Sequence, residues 1–97
     1  MIKEIQPELI LLIEKFNNVN KKILKHNIQK YFRIYRKEYQ IAHNIKITYK
    51  IFSEKIGIEK DTFRWWQQPN KPLTPNFLNS LKLCEVLDIS IYQLFEE

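Results

Sequence analysis

Only one glycine occurs among the 97 residues, Gly57, and it falls between two apolar-patterned segments. Glycine takes up, without steric cost, the left-handed backbone conformation that ends a helix and redirects the chain. A sequence that avoids glycine everywhere else keeps this one for its backbone. Around it runs Thr48-Tyr49-Lys50-Ile51-Phe52-Ser53-Glu54-Lys55-Ile56-Gly57-Ile58-Glu59-Lys60-Asp61-Thr62-Phe63-Arg64-Trp65-Trp66. Ser53 is a small residue partway along the first segment, which lets a second helix cross close to it. Ile58, Phe63 and Trp66 then pin the pair to a core. The spacing predicts two short helices joined by a tight turn, the internal logic of a helix-turn-helix.

Length and composition set the frame around that unit. A chain of this size makes one small domain with a modest core. Hydrophobic content of 44% and aromatic content of 13% place it among folded chains. The single cysteine, Cys84, excludes an intramolecular disulfide and a cysteine-cluster zinc site. His26 and His43 stand apart from any Cys or Asp/Glu pattern of metal-site type, so no metal and no cofactor is expected. Ile5 to Phe16 is interrupted by Gln6, Pro7, Glu8, Glu14 and Lys15 and is too short to span a bilayer. With no signal-peptide pattern, the expected setting is reducing and cytoplasmic, without a membrane partner.

The formal charge of +5 is unevenly spread. Residues 20–50 hold Lys21, Lys22, Lys25, Lys30, Arg33, Arg36, Lys37, Lys46 and Lys50 against one acid, Glu38. Beyond Lys82 come Glu85, Asp88, Glu96 and Glu97 with no base. Such polarity suits one face toward a polyanion and another toward solvent or a partner; a solvated lysine-rich helix is the plainer alternative.

The periodicity predicts an all-α domain of five or six helices and no strand. The first helix runs from about Pro7 to Phe16, with proline at a first-turn position. Ile2, Ile5, Leu9, Leu12, Phe16, Val19 and Ile23 step by alternating threes and fours, a heptad-like pattern. Pro7 and the Asn17-Asn18-Val19-Asn20 cluster break it, which places a turn near residues 17–20 with Asn20 as N-cap. Residues 1–20 therefore read as an N-terminal packing or dimerisation arm, and 21–97 as the main domain. The arm either folds back on its own domain or pairs with a second copy.

A long second helix covers about Lys21 to His43, with the stripe Leu24, Ile28, Tyr31/Phe32, Tyr35, Tyr39 and Ala42, and Asn44 as its stop. Thr48 caps the next helix, which ends at Gly57, and Glu59 sits at the following N-cap. Pro69, Pro72 and Pro75 force a loop over residues 68–74. Thr74-Pro75 reads as the start of another helix, whose buried stripe would be Phe77, Leu78, Leu81, Cys84 and Leu87/Val86. Cys84 is read there as a small core residue. Ser90 caps a last short helix with Ile91, Leu94 and Phe95.

From about Ile47 to Phe95 the chain resembles the phage-repressor and Cro type (XRE-like) of helix-turn-helix domain, the lambda-repressor-like fold. The residues that carry the resemblance are Ile47-Thr48, Ser53, Gly57, Ile58, Phe63, Trp66, Pro75, and the closing Leu81-x-Leu83-Cys84-x-Val86-Leu87-Asp88-Ile89-Ser90 with Leu94. The resemblance covers about half the chain and implies that the helix from Lys60 to Gln68 lies in the major groove of duplex DNA. Glu59, Lys60, Asp61, Arg64, Trp65 and Gln68 would face outward, with Thr62 and Gln67 intermediate. Arg64 is suited to guanine, Lys60 to guanine or phosphate, and Asp61 to a cytosine amino group. Thr48, Tyr49 and Lys50 at the start of the preceding helix, with Lys71 in the following loop, are the implied phosphate contacts, and Lys46 is another candidate. Four features depart from the family pattern: Trp65 at a base-reading position, Pro69 where glycine is usual, a longer loop after it, and a longer helix before Thr48. Trp65 has three open readings, namely packing on a thymine methyl or backbone edge, forming a protein-binding surface, or packing inside against the N-terminal helix.

The expectation is a small DNA-binding regulator, a transcriptional repressor acting as a homodimer, from a phage, plasmid or low-GC bacterium. A protein-interaction or mobile-element accessory module that keeps the fold without reading bases is the alternative. No Ser/His/Asp set, carboxylate pair or Gly-rich phosphate loop is present, so an enzyme is not expected.

Overall fold

A computed structural model describes residues 7–96. The chain forms α1 (Pro7–Asn17), α2 (Lys21–His43), α3 (Tyr49–Ile56), α4 (Lys60–Gln67), α5 (Phe77–Leu87) and a closing 3₁₀ turn, Ile91–Leu94. No strand occurs among the described residues, and the domain is all-α. No described helix is long and apolar enough to cross a membrane. Ile2 and Ile5 of the heptad-like pattern, and Glu97, lie outside the described residues.

The helix ends follow from local chemistry. At α2 the Asn20 side-chain oxygen accepts from the backbone N–H of Lys22 at 2.9 Å and of Ile23 at 3.3 Å. Asn44 then ends α2 in the left-handed region, φ 52°. The Thr48 hydroxyl accepts from the Ile51 N–H at 3.2 Å and opens α3. Gly57 ends it at φ 83°, and its neighbour Ile58 donates from its N–H to the Ser53 carbonyl at 3.0 Å. That six-to-one bond is the Schellman closure expected around a left-handed glycine. Glu59 sits at the N-cap of α4 without a side-chain cap bond, as its length would suggest. Ser90 and Gln93 form a reciprocal capping box at the 3₁₀ turn.

A Cβ placed on Gly57 would meet nothing within 4 Å, so only the backbone objects to a side chain there. Gly57→Ala should therefore lose about 1 kcal/mol, the left-handed penalty less the entropy that alanine removes from the unfolded chain. Urea denaturation should show a lower midpoint at an unchanged m-value. An unchanged midpoint would mean that the left-handed turn is not needed.

The core is aromatic at its centre. Phe32 of α2, Phe52 of α3 and Phe63 of α4 lie with ring centroids 4.7–4.8 Å apart, and Trp66 meets Phe63 edge-on at 6.2 Å. Ser53 of α3 is buried, with its hydroxyl donating to the Lys50 carbonyl at 2.9 Å, and a larger side chain there would have to displace the surrounding core. Asn27 of α2 is also buried, and its amide donates to the carbonyls of Leu94 at 3.0 Å and Glu96 at 2.7 Å, which fastens the C-terminal segment to α2. α1 folds back through Phe16, stacked on Phe77 at 5.4 Å and tilted against Phe95 at 6.1 Å. Leu12 is half-buried against the core, whereas Leu9, Ile10, Leu11 and Ile13 stay exposed.

Three expectations need correction. α5 starts at Phe77, with Asn76 as its cap accepting from the Asn79 N–H at 2.7 Å; Thr74-Pro75 precedes the helix. An asparagine one residue downstream of the proline caps as well as threonine does, and its position sets the start. The buried face of α5 is Ser80, Leu83, Cys84 and Leu87, whereas Leu78 is 61% exposed and Leu81 is also exposed. Apolar residues surround this helix, so the pattern does not select a face; packing buries the side that carries the small Ser80. Ala42 is exposed because the last turn of α2 runs past the core beyond Tyr39. Cys84 is buried as expected, and burial pushes its thiol up to about 12, which leaves it unionised at neutral pH.

Candidate nucleic-acid interface

α4 is divided into two faces by its own sequence. Phe63 and Trp66 point into the aromatic core and hold the helix down. Lys60, Asp61, Arg64 and Trp65 stand outward, as their spacing predicts, and Thr62 is half-buried. Gln68 departs from the expected outward set: it is half-buried and forms the C-cap of α4. Gln67, expected to be intermediate, is buried, with its amide donating to the Phe63 carbonyl at 3.3 Å. Both follow from the chain leaving the helix at Gln68, which presses the last turn against the body.

Arg64 and Asp61 are an i, i+3 pair at 3.5 Å. Such exposed pairs contribute about 0–1 kcal/mol, less than the 1–3 kcal/mol of a bidentate guanine contact. The pairing therefore orients Arg64 without withholding it from a base.

Trp65 is 41% exposed, which overturns the reading that it packs inside against the N-terminal helix. Its outward register on α4, set by Phe63 and Trp66, keeps the indole at the surface. The Lys71 ammonium lies 5.8 Å from its ring centroid, so an aromatic face and a cation are presented side by side. Lys71 is exposed on the loop after α4, and its backbone N–H donates to the Gln68 carbonyl at 3.1 Å.

The start of α3 borders the same region. Thr48 and Lys50 are exposed, and Tyr49 is half-buried with its ring tilted on Phe32 at 5.4 Å and on Phe63 at 6.0 Å. Lys46 is exposed two residues before the cap. Arg36 of α2 joins them, with its guanidinium 5.4 Å from the Phe32 ring and 5.9 Å from the Tyr49 ring. Sequence reasoning counted Arg36 only as part of a basic run. Its place four residues after Phe32, hence one turn along the buried face, was the available signal.

One member of that basic run is turned inward. Lys25 is 3% exposed, and its amino group donates to the Trp65 carbonyl at 2.7 Å and the Leu73 carbonyl at 2.5 Å. Burial, with Lys21 one turn away, holds its ammonium below the usual lysine range. Lys25 adjoins Leu24 and precedes Ile28 by three, so helical spacing places it at the edge of the apolar stripe.

Along α1 a groove of about 750 Å³ is lined by apolar residues such as Leu11, Leu12, Ile23 and Phe95 and also by the charged Glu8, Glu14 and Lys15. No group of three or more potential metal ligands occurs among the described residues. No family model matches the chain, and comparison with curated proteins and with solved structures gives no match.

Proposed function

We propose that the protein is a small DNA-binding regulator of the phage-repressor and Cro type, which places α4 in the major groove and acts as a homodimer. The observation that carries this reading is the division of α4: an inner face locked by Phe63 and Trp66, and a free outer face of Lys60, Asp61, Arg64 and Trp65. A helix held rigidly by one side and polar on the other is what base reading requires. Thr48, Tyr49, Lys50 and Lys71 flank it as phosphate contacts, with Lys46 and Arg36 beside them. In a two-fold dimer the two α4 helices would address half-sites about one helical turn apart.

Trp65 sustains a second reading, a protein-interaction module that keeps the two-helix unit without reading bases. Exposed tryptophan is the residue type most enriched at binding hot spots. Titration of a random duplex at low salt, with the wild-type chain and Trp65→Ala, separates the two. The DNA reading expects binding by both proteins, weakened in the variant by a lost apolar contact. No binding by the wild type at low salt would rule out DNA as the partner and leave the interaction module.

A further inference from the structure

We propose that Lys25 of α2 caps the C-terminal end of α4 from outside the helix, and that it positions the Trp65–Lys71 surface. Helices leave their last carbonyls without intrahelical partners, and these must be satisfied elsewhere. α2, α3 and α5 solve this locally, each ending on a left-handed residue: Asn44, Gly57 and Asp88. α4 does not. Its C-cap, Gln68, is extended at φ −91° and ψ 121°, and Pro69 follows with no N–H to donate. The Gln68 N–H reaches the Trp65 carbonyl at 3.2 Å, and the Lys25 amino group meets the same carbonyl at 2.7 Å. Its second bond, to the Leu73 carbonyl, gathers the far side of the loop.

One buried cation thus closes a helix end and a loop that the backbone cannot close alone. A positive group suits the negative end of the helix dipole. The two carbonyls bracket residues 66–72, and within that span lies Lys71, whose ammonium rests on the Trp65 ring. Lys25 acts on this surface only through the backbone; it touches no nucleic acid. Lys25 is 3% exposed, so its aliphatic stem is buried along with the donors it carries.

The test has an arm independent of DNA and an arm that rests on the function proposed above. In the wild-type chain, NMR of the lysine side chains should show slow exchange of the Lys25 amino protons and proximity to Trp65 and Leu73. Exchange as fast as at Lys22, which is exposed, would overturn the assignment. Lys25→Met keeps the stem and removes the donors. It should speed backbone exchange at Gln68 and Lys71 and shift the Trp65 indole resonance, and Lys25→Arg should restore part of both. Unchanged exchange and resonance in Lys25→Met would also overturn it.

In duplex binding, Lys25→Met should lower affinity about tenfold while leaving the slope of log affinity against log salt unchanged. A slope flatter by about one unit would make Lys25 a phosphate contact and overturn the proposal. If no variant and no wild-type chain binds duplex, the function falls, and the exchange data still decide the cap.

Discussion

Phe63→Ala is expected to lose about 3–5 kcal/mol of stability, a third or more of what a domain of this size has. Phe63 is 0% exposed and is the ring on which the three central helices meet. Its centroid lies 4.8 Å from both Phe32 and Phe52 and 6.2 Å from Trp66. The six ring carbons removed cannot be replaced by collapse, because the neighbouring rings of Phe32 and Phe52 already pack on each other at 4.7 Å. The edge-on and tilted ring pairs add to the transfer term. Arg64→Ala, one residue along the same helix but on its outer face, should stay within about 0.5 kcal/mol of wild type. Guanidinium denaturation of the two variants side by side checks both figures. A loss below about 1 kcal/mol for Phe63→Ala would mean that α4 is not fastened through this ring.

Duplex affinity is expected to fall roughly 500-fold between about 50 and 200 mM salt. The figure follows from five cations around α3 and α4, namely Arg36, Lys46, Lys50, Lys60 and Lys71. If each neutralises one phosphate, the slope of log affinity against log salt is about −4.5. Lys71→Ala should flatten it by about 0.9 and weaken binding to all sequences alike. Arg64→Ala should instead reduce discrimination between sequences by about 1–3 kcal/mol if it reads guanine. Fluorescence anisotropy across a salt series measures the slope, and a flat response would remove phosphate contact from the account. Asp61 opposes the trend locally, and Asp61→Asn should raise affinity for random duplex by removing a negative charge from the outer face of α4.

The predictions differ in what the sequence alone contributes. The α3–α4 unit was legible because its determinants lie within nineteen consecutive residues, Thr48 to Trp66. Thr48 caps, Gly57 turns, Ser53 permits close crossing, and Phe63 and Trp66 define an inner face by their spacing. The outer positions Lys60, Asp61, Arg64 and Trp65 then follow by subtraction. At α5 the same procedure misplaced the start and the face. Two residues compete for the cap there, and Leu78, Leu81, Leu83 and Leu87 leave no polar side to mark the outside.

Local chemistry written in the sequence determined that the chain is all-helical, where α2 and α3 begin and end, where α4 begins, and that Phe63 and Trp66 mark the inner face of α4. Caps, prolines and a left-handed glycine act on backbone groups within four residues, so no other element need be known. The tertiary structure decided the fate of single members of a uniform set. Of nine basic residues between positions 20 and 50, it turned Lys25 inward and laid Arg36 on an aromatic ring. It left Trp65 at the surface and buried Gln67 beside it. These outcomes depend on partners such as Leu73, 48 positions away from Lys25, and no local rule senses a carbonyl at that distance along the chain.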